Sequence, residues 1–299
     1  LPLVVLSHGV GASYDVYAYQ SISLACHGTM VLVPTHLDGT APVAQQPTGR
    51  RPILFDVRPK QLEEEGKKKE ASQLRCQQVE IRAREMVLAT EFLLSAKTMK
   101  REHSTDTFAP KDLAHILQRL APDQIFFMGH SIGGTNALVA SLRQPKLARG
   151  VICFDPVLDW MPGDTRWALF RHDRIAGLKS LRYTSYSREC DVAQEWVSTN
   201  KSLHEQHLLF LTTTEWLDSN WEGAQLLKEM NDKGRLGGMD GVSRQVIIHS
   251  NHFELADVAM LTPLWLTRPV GLTGPRNPID TAAEIAGRLA DFLNDACKG

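Results

Sequence analysis

Residues 124–134 read Gln-Ile-Phe-Phe-Met-Gly-His-Ser-Ile-Gly-Gly, and the fold turns on this stretch. Gln124 to Met128 (QIFFM) is a short run of large apolar residues, the pattern of a strand buried on both faces. Gly134 to Arg143 reads as a helix. Between them Gly129-His130-Ser131-Ile132-Gly133 matches G-x-S-x-G, a tight strand-to-helix turn in which a side chain at either glycine would crowd the backbone. Such a turn lifts the Ser131 hydroxyl above the sheet edge, beside a helix N-terminus whose dipole favours developing negative charge. The five-residue pattern alone is common by chance. The strand before it and the helix after it make Ser131 a candidate nucleophile.

Outward from this turn the chain alternates. Residues 2–6 (PLVVL) and 29–33 (TMVLV) read as buried strands, joined by a helix from Tyr14 to Cys26 that stops at His27-Gly28. Gly150 to Phe154, Leu208 to Leu211 and Gln245 to Ile248 are further strands. Residues 36–66 look irregular, rich in Gly, Thr and Pro. Lys67 to Lys97 is helical, and the charged block at 63–70 reads as its solvated start. Residues 98–109 read as a polar loop, and Pro110 to Leu120 as a short helix. Asp280 to Ala296 closes the chain as an amphipathic helix with Ile285, Leu289, Phe292 and Leu293 on one face. This alternation predicts an α/β fold: a mostly parallel central sheet with helices on both faces. With no internal repeat, residues 1–299 read as one catalytic domain.

Composition narrows the function. The chain has 299 residues, 43% hydrophobic and 22% charged, which excludes a disordered or collagen-like class. Lys+Arg is 33 against Asp+Glu 34, so the basic excess expected of a nucleic-acid binder is missing. No apolar run reaches the roughly 18 residues of a membrane span. The five cysteines form no C-x-x-C pair; one bridge is possible but no disulfide framework is. No H-x-x-x-H or H-E-x-x-H spacing occurs, so neither a metal nor another cofactor is expected. The chain opens at Leu1 already inside a strand and without an initiator Met, the pattern of an excised or processed piece.

A nucleophilic serine needs a base and an orienting acid, which follow such a turn in the order acid, then His. Asp155 comes directly after strand 150–154, where a strand end delivers its side chain to the sheet edge. Asp159 and Asp164 are rivals in the loop beyond. The late strand is followed by His249 and, three residues on, His252; the residues alone leave both open. Two backbone donors are needed for an oxyanion. Ile132, next to the serine, is one candidate. Val10, in the Ser7-His8-Gly9-Val10-Gly11 loop after the first strand, is the other.

With these residues in place, the chain resembles the platelet-activating factor acetylhydrolase family, the plasma and type II enzymes. LPLVVLSHGVGASYDVY is similar to that family's strand and H-G-L-G segment, SLACHGTMVLVPTHLDGTA to its L-A-S-H-G and V-E-H-R-D block, and GHSIGG to its GHSFGG. GVICFDPVLDW is similar to the segment with the acid after the strand, and LLFLTTTEW to a strand ending in S-E-aromatic. HSNHFELAD matches S-V-H-Q-N-F-A-D in spacing, which puts the base at His252. The resemblance implies the α/β-hydrolase fold, with two further strands ahead of Leu1. It also implies a calcium-independent phospholipase A2-type lipase cleaving short or oxidised sn-2 acyl chains through Ser131, His252 and Asp155. The partner is then a phospholipid or another small ester. The family's H-R-D reads His36-Leu37-Asp38 here, and Ile132 replaces a Phe. Other readings are a general carboxylesterase or polyester hydrolase of the same fold, or a catalytically silent hydrolase-like binding domain.

Residues 259–266 hold Met260, Leu261, Leu264, Trp265 and Leu266 with no charge. The run follows the His252 loop. It either packs into the core or forms a peripheral contact with a membrane or lipoprotein surface, where Trp is favoured.

Overall fold

The computed structural model describes residues 1–46, 50–98, 111–163, 206–221, 223–225, 227–228, 243–269 and 272–298. Its strands are β1 (Leu3–Ser7), β2 (Met30–Leu32), β3 (Val43–Ala44), β4 (Ile53–Leu54), β5 (Ile125–His130), β6 (Gly150–Phe154), β7 (His207–Thr213) and β8 (Ser243–Ile248). Six of them form one parallel sheet in the order β2-β1-β5-β6-β7-β8. The longer helices are α1 (Ala18–Cys26), α2 (Arg58–Glu64), α3 (Lys68–Thr98), α4 (Lys111–Gln118), α5 (Ile132–Arg143) and α6 (Pro278–Lys298).

Strand residues alternate between two cores. Leu3, Val5, Ile125 and Phe127 pack with Val79, Ala83 and Met86 of α3 and Leu138 of α5 on one face. Val4, Leu6, Phe126 and Met128 pack with Leu24 of α1 and Ile285, Leu289, Phe292 and Leu293 of α6 on the other. Because both faces are covered, the strands carry continuous apolar runs rather than alternating ones. The α6 stripe is the one its periodicity predicts.

The chain runs from β1 outward to β2, then returns to β5 on the other side of β1. That reversal opens a crevice at the carboxyl ends of β1 and β5, the usual ligand position in open α/β sheets. Ser7 pairs with Gly129, His130 with Phe154, Phe154 with Leu211 and Thr213 with Ile248, so the candidate residues leave the sheet along one edge.

Local departures have local causes. β5 extends to His130 because Gly129 and His130 keep their ladder partners Cys153 and Phe154. α5 starts at Ile132, so the tight turn is the single residue Ser131. The 36–66 segment is not irregular throughout. Val43–Ala44 and Ile53–Leu54 pair as an antiparallel hairpin, and α2 forms with Pro59 in its first turn, where a fixed φ suits a helix. The charged block at 63–70 spans two helices: Glu63 and Glu64 close α2, Gly66 turns the chain at φ 76°, and α3 begins at Lys68. After Thr98, the expected 98–109 loop lies outside the described residues. Cys26, Cys153 and Cys297 are free thiols, and Cys190 lies outside the described residues. Among the described residues no helix is long and apolar enough to cross a membrane.

Candidate active site

Ser131 sits at φ 59°, ψ −123°, a conformation that non-glycine residues rarely adopt, between the end of β5 and the start of α5. Such a residue costs about 1–3 kcal/mol and persists only where its surroundings hold it. They do so here. Ser131 N donates to Phe154 O at 2.8 Å, and Ser131 O accepts from Gly134 N and Val157 N at 3.0 and 3.3 Å. A Cβ on Gly129 would overlap the Gly133 carbonyl, and one on Gly133 would overlap the Ser7 carbonyl. The glycines on either side of the serine are therefore required by close backbone approach.

Asp155 follows β6 directly, at φ 40° and fully buried. Its Oδ1 accepts from Thr213 N at 2.8 Å. Its Oδ2 accepts from Thr213 Oγ1 at 2.7 Å and faces His252 Nδ1 at 3.0 Å. Oδ2 can only accept from the ring, so Nδ1 carries the proton and Nε2 remains able to accept one. The sheet thus brings Asp155 and His252 together across 97 residues of sequence. His249 is exposed. Asp159 turns away, its Oδ2 accepting from Gly223 N at 3.0 Å, and Asp164 lies outside the described residues.

His252 is gripped on every side. Its backbone N–H donates to Glu215 Oε2 at 2.7 Å. Trp216 stacks on its ring at 4.8 Å and 20°, and the His130 ring lies tilted against it at 4.4 Å. Thr213, Glu215 and Trp216 all come from the end of β7, so one strand terminus positions both the acid and the histidine. Burial and the neighbouring His252 hold His130 well below the usual histidine range, so it is neutral at pH 7. Tyr17 Oη accepts from Gly9 N at 2.9 Å and is hydrogen-bonded to His130 Nδ1 at 2.8 Å, tying the first loop to the serine turn.

That first loop lies against the serine: a Cβ built at Gly9 would be 3.6 Å from Ser131 Cβ. His8 Nδ1 donates to Gly9 O at 2.8 Å. Gly9 C=O and Val10 N–H share one peptide plane, so this bond fixes the direction in which Val10 N–H points. Among the described residues neither Val10 N–H nor Ile132 N–H has an acceptor. Burial and the Arg82 guanidinium pull His8 down to about 2, which keeps its ring neutral.

Behind the loop is a buried polar network that the sequence reading missed. Arg82 is fully buried and ion-paired with Asp38 at 2.8 Å. It also donates to His8 O at 2.5 Å and to Thr40 Oγ1. Asn136 Nδ2 donates to Ser7 Oγ, which contacts His36 Nε2 at 2.8 Å; His36 Nδ1 reaches Glu85 at 2.7 Å. Burial pushes Glu85 up to about 7. Removing one partner of a buried pair such as Arg82–Asp38 costs about 3–5 kcal/mol, so the loop is braced by a charge pair that resists rearrangement. The available signal was the 75, 78, 82, 85 spacing of Arg, Gln, Arg and Glu on one face of α3.

A parallel sheet sandwiched by helices, with a strained serine turn at its switch point and an Asp–His pair at the next strand ends, defines an α/β-hydrolase. The chain belongs to the family described as platelet-activating factor acetylhydrolase, isoform II, whose sequence model matches residues 1–164. Platelet-activating factor acetylhydrolase of Canis lupus familiaris is 28% identical over 155 residues, 50% of this chain and 34% of that protein. The Bos taurus protein of the same name is 29% identical over 171 residues, 54% and 35% of the two chains. The matches thus span about a third of those relatives' own length. Among solved structures, a ferulic acid esterase from Streptomyces cinnamoneus superposes with a TM-score of 0.57 at 18% identity, covering 98% of this chain and 66% of that one. That likeness is one of fold.

Proposed function

We propose that the protein is a serine ester hydrolase acting through Ser131, His252 and Asp155 on short or oxidised sn-2 acyl chains of phospholipids. The observation that carries this reading is the Asp155–His252 hydrogen bond at the strand ends flanking the strained Ser131 turn. His252 Nε2 takes the Ser131 proton as Oγ bonds to the ester carbonyl carbon. Val10 and Ile132 N–H groups receive the resulting oxyanion. Asp155 holds the imidazole in its Nδ1–H form and stabilises the imidazolium. His252 then protonates the departing alkoxide, water attacks the acyl-enzyme by the same route, and Ser131 is regenerated. The phospholipid preference is supported by the family and by the names of its relatives. Hydrolysis of p-nitrophenyl acetate compared with a short-chain phosphatidylcholine tests it: efficient turnover of the first with none of the second makes the protein a general carboxylesterase.

Asp155→Asn is expected to lower turnover by roughly 10⁴-fold with the fold retained, because an amide favours the wrong imidazole tautomer. Both Asp155 oxygens accept bonds, and an asparagine NH₂ facing Thr213 or His252 cannot. Steady-state kinetics of Asp155→Asn beside Asp159→Asn is the measurement. A severe loss in the second with a mild loss in the first moves the acid role to Asp159.

The catalytic reading includes contact with a lipid surface through residues 259–266. Leu261 and Trp265 are 78% and 77% exposed and Leu266 50%, and Phe253, beside His252, is also exposed. Phe253 adjoins His252, and the helix carrying Leu261 packs on the 252–255 turn; an apolar surface there is where a lipase would meet its substrate. Trp265→Ala with Leu266→Ala is expected to lower liposome binding at least fivefold while leaving turnover of a soluble ester within twofold. Equal losses on both substrates, or none in liposome co-sedimentation, would remove the surface role.

A further inference from the structure

Arg75, Gln78 and Arg82 lie at i, i+3 and i+7 on one face of α3, and the two arginines are treated differently by the fold. Arg82 has Asp38, the His8 carbonyl and Thr40 as partners. Arg75 is only 7% exposed, yet among the described residues no carboxylate comes within ion-pair distance of it. Its NH1 donates to Gln78 Oε1 at 2.9 Å, and its guanidinium lies 5.1 Å from the Trp160 ring centroid. Its Nε is buried with no acceptor. One neutral hydrogen bond and one cation–π contact are weak compensation for taking a cation out of water. Burial accordingly pulls the Arg75 pKa down, and the Glu63, Asp38 and Asp56 carboxylates beyond ion-pair distance offset only part of that.

The position of this cation gives it meaning. Trp160 N donates to Val157 O, and Val157 N donates to Ser131 O. On the other side, Gln78 Nε2 donates to the Asp38 carbonyl, and Asp38 pairs with the arginine that braces the first loop. Arg75 thus touches two groups, Trp160 and Gln78, whose hydrogen bonds lead to the serine turn on one side and to Asp38 on the other. From His252 an aromatic wall leads to it: Trp216 stacks on Trp221 at 5.9 Å, and Trp221 meets Trp160 edge-on at 5.4 Å. An apolar wall that starts at the histidine and ends at an unpaired guanidinium suits an ester with an apolar chain and an anionic group.

We propose that Arg75 is a specificity-determining residue that binds an anionic oxygen group of the substrate, a phosphodiester or a carboxylate. This rests on the ester-hydrolase reading. The substrate supplies the close counter-charge that the described residues do not, so an ester carrying the anion gains binding that a neutral ester of equal size does not.

The test compares three esters of similar acyl length with wild type, Arg75→Met, Arg75→Gln and Arg75→Lys. The esters are p-nitrophenyl butyrate (neutral), mono-p-nitrophenyl glutarate (carboxylate on the acyl side) and dibutyrylphosphatidylcholine (phosphodiester on the leaving side). The kcat/KM for one charged ester relative to the neutral one is expected to fall at least tenfold in Arg75→Met and Arg75→Gln, mainly through KM, with partial recovery in Arg75→Lys. A fall confined to the glutarate ester puts the anion on the acyl side, and one confined to the phospholipid puts it on the leaving group. Thermal melts should show Arg75→Met as stable as wild type or more so, since it removes an unpaired buried charge. Unchanged ratios for both charged esters in folded variants overturn the assignment. A wild type inactive on all three overturns the ester-hydrolase reading itself, and this assignment with it.

Discussion

Ser131→Ala is expected to reduce ester turnover by about 10⁶-fold while the protein stays folded. On the proposed mechanism, alanine deletes the one atom that bonds to the acyl carbon. Stability should change little. The turn is held by backbone bonds of Ser131 N to Phe154 O and of Gly134 N and Val157 N to Ser131 O, all of which alanine retains. The positive φ strains alanine about as much as serine. Steady-state assays of the purified variant, beside its thermal melt, are the measurement. A variant that keeps even a tenth of wild-type turnover would take the nucleophile role away from Ser131. One that fails to fold would instead mean that the hydroxyl stabilises the turn.

His252→Ala is expected to be about as damaging, whereas His249→Ala should leave turnover within a few-fold. Members of such a unit fail together, because a serine without its base is a poor nucleophile and a base without its serine has nothing to deprotonate. Loss of the ring still leaves Asp155 two donors from Thr213, so the buried carboxylate is not stranded. His249 is exposed, although it is the histidine that directly follows β8. The reverse ranking of the two variants would put the base three residues upstream. The Glu215 and Trp216 contacts explain why His252 has one orientation.

Much of the architecture could be read along the chain because its causes are local. The apolar runs at 2–6, 124–128 and 150–154 are continuous since both faces of each strand are covered. Ser131 was legible because two glycines around one residue are a steric requirement of the turn. Asp155 was legible because a strand end points its next side chain at the sheet edge. Other elements depend on short-range pairing that composition hides. Val43–Ala44 and Ile53–Leu54 are too short to show a period, so the hairpin between them read as irregular chain.

The histidine marks the boundary between the two kinds of information. His249 and His252 have the same local credentials, and spacing within a resembling segment favoured His252. Its contact with Asp155, however, joins residues 97 apart and exists because β6, β7 and β8 lie side by side in that order. The same holds for Tyr17 with His130, 113 residues apart, and Arg82 with the His8 carbonyl, 74 apart. Hydropathy marks a residue as buried or exposed but carries no information on which distant group it meets. Arg75, Gln78, Arg82 and Glu85 therefore did not stand out within the helix read at 67–97. Once α3 packs on the face of the sheet beside α5, Arg82 pairs with Asp38, while among the described residues Arg75 has no carboxylate within ion-pair distance.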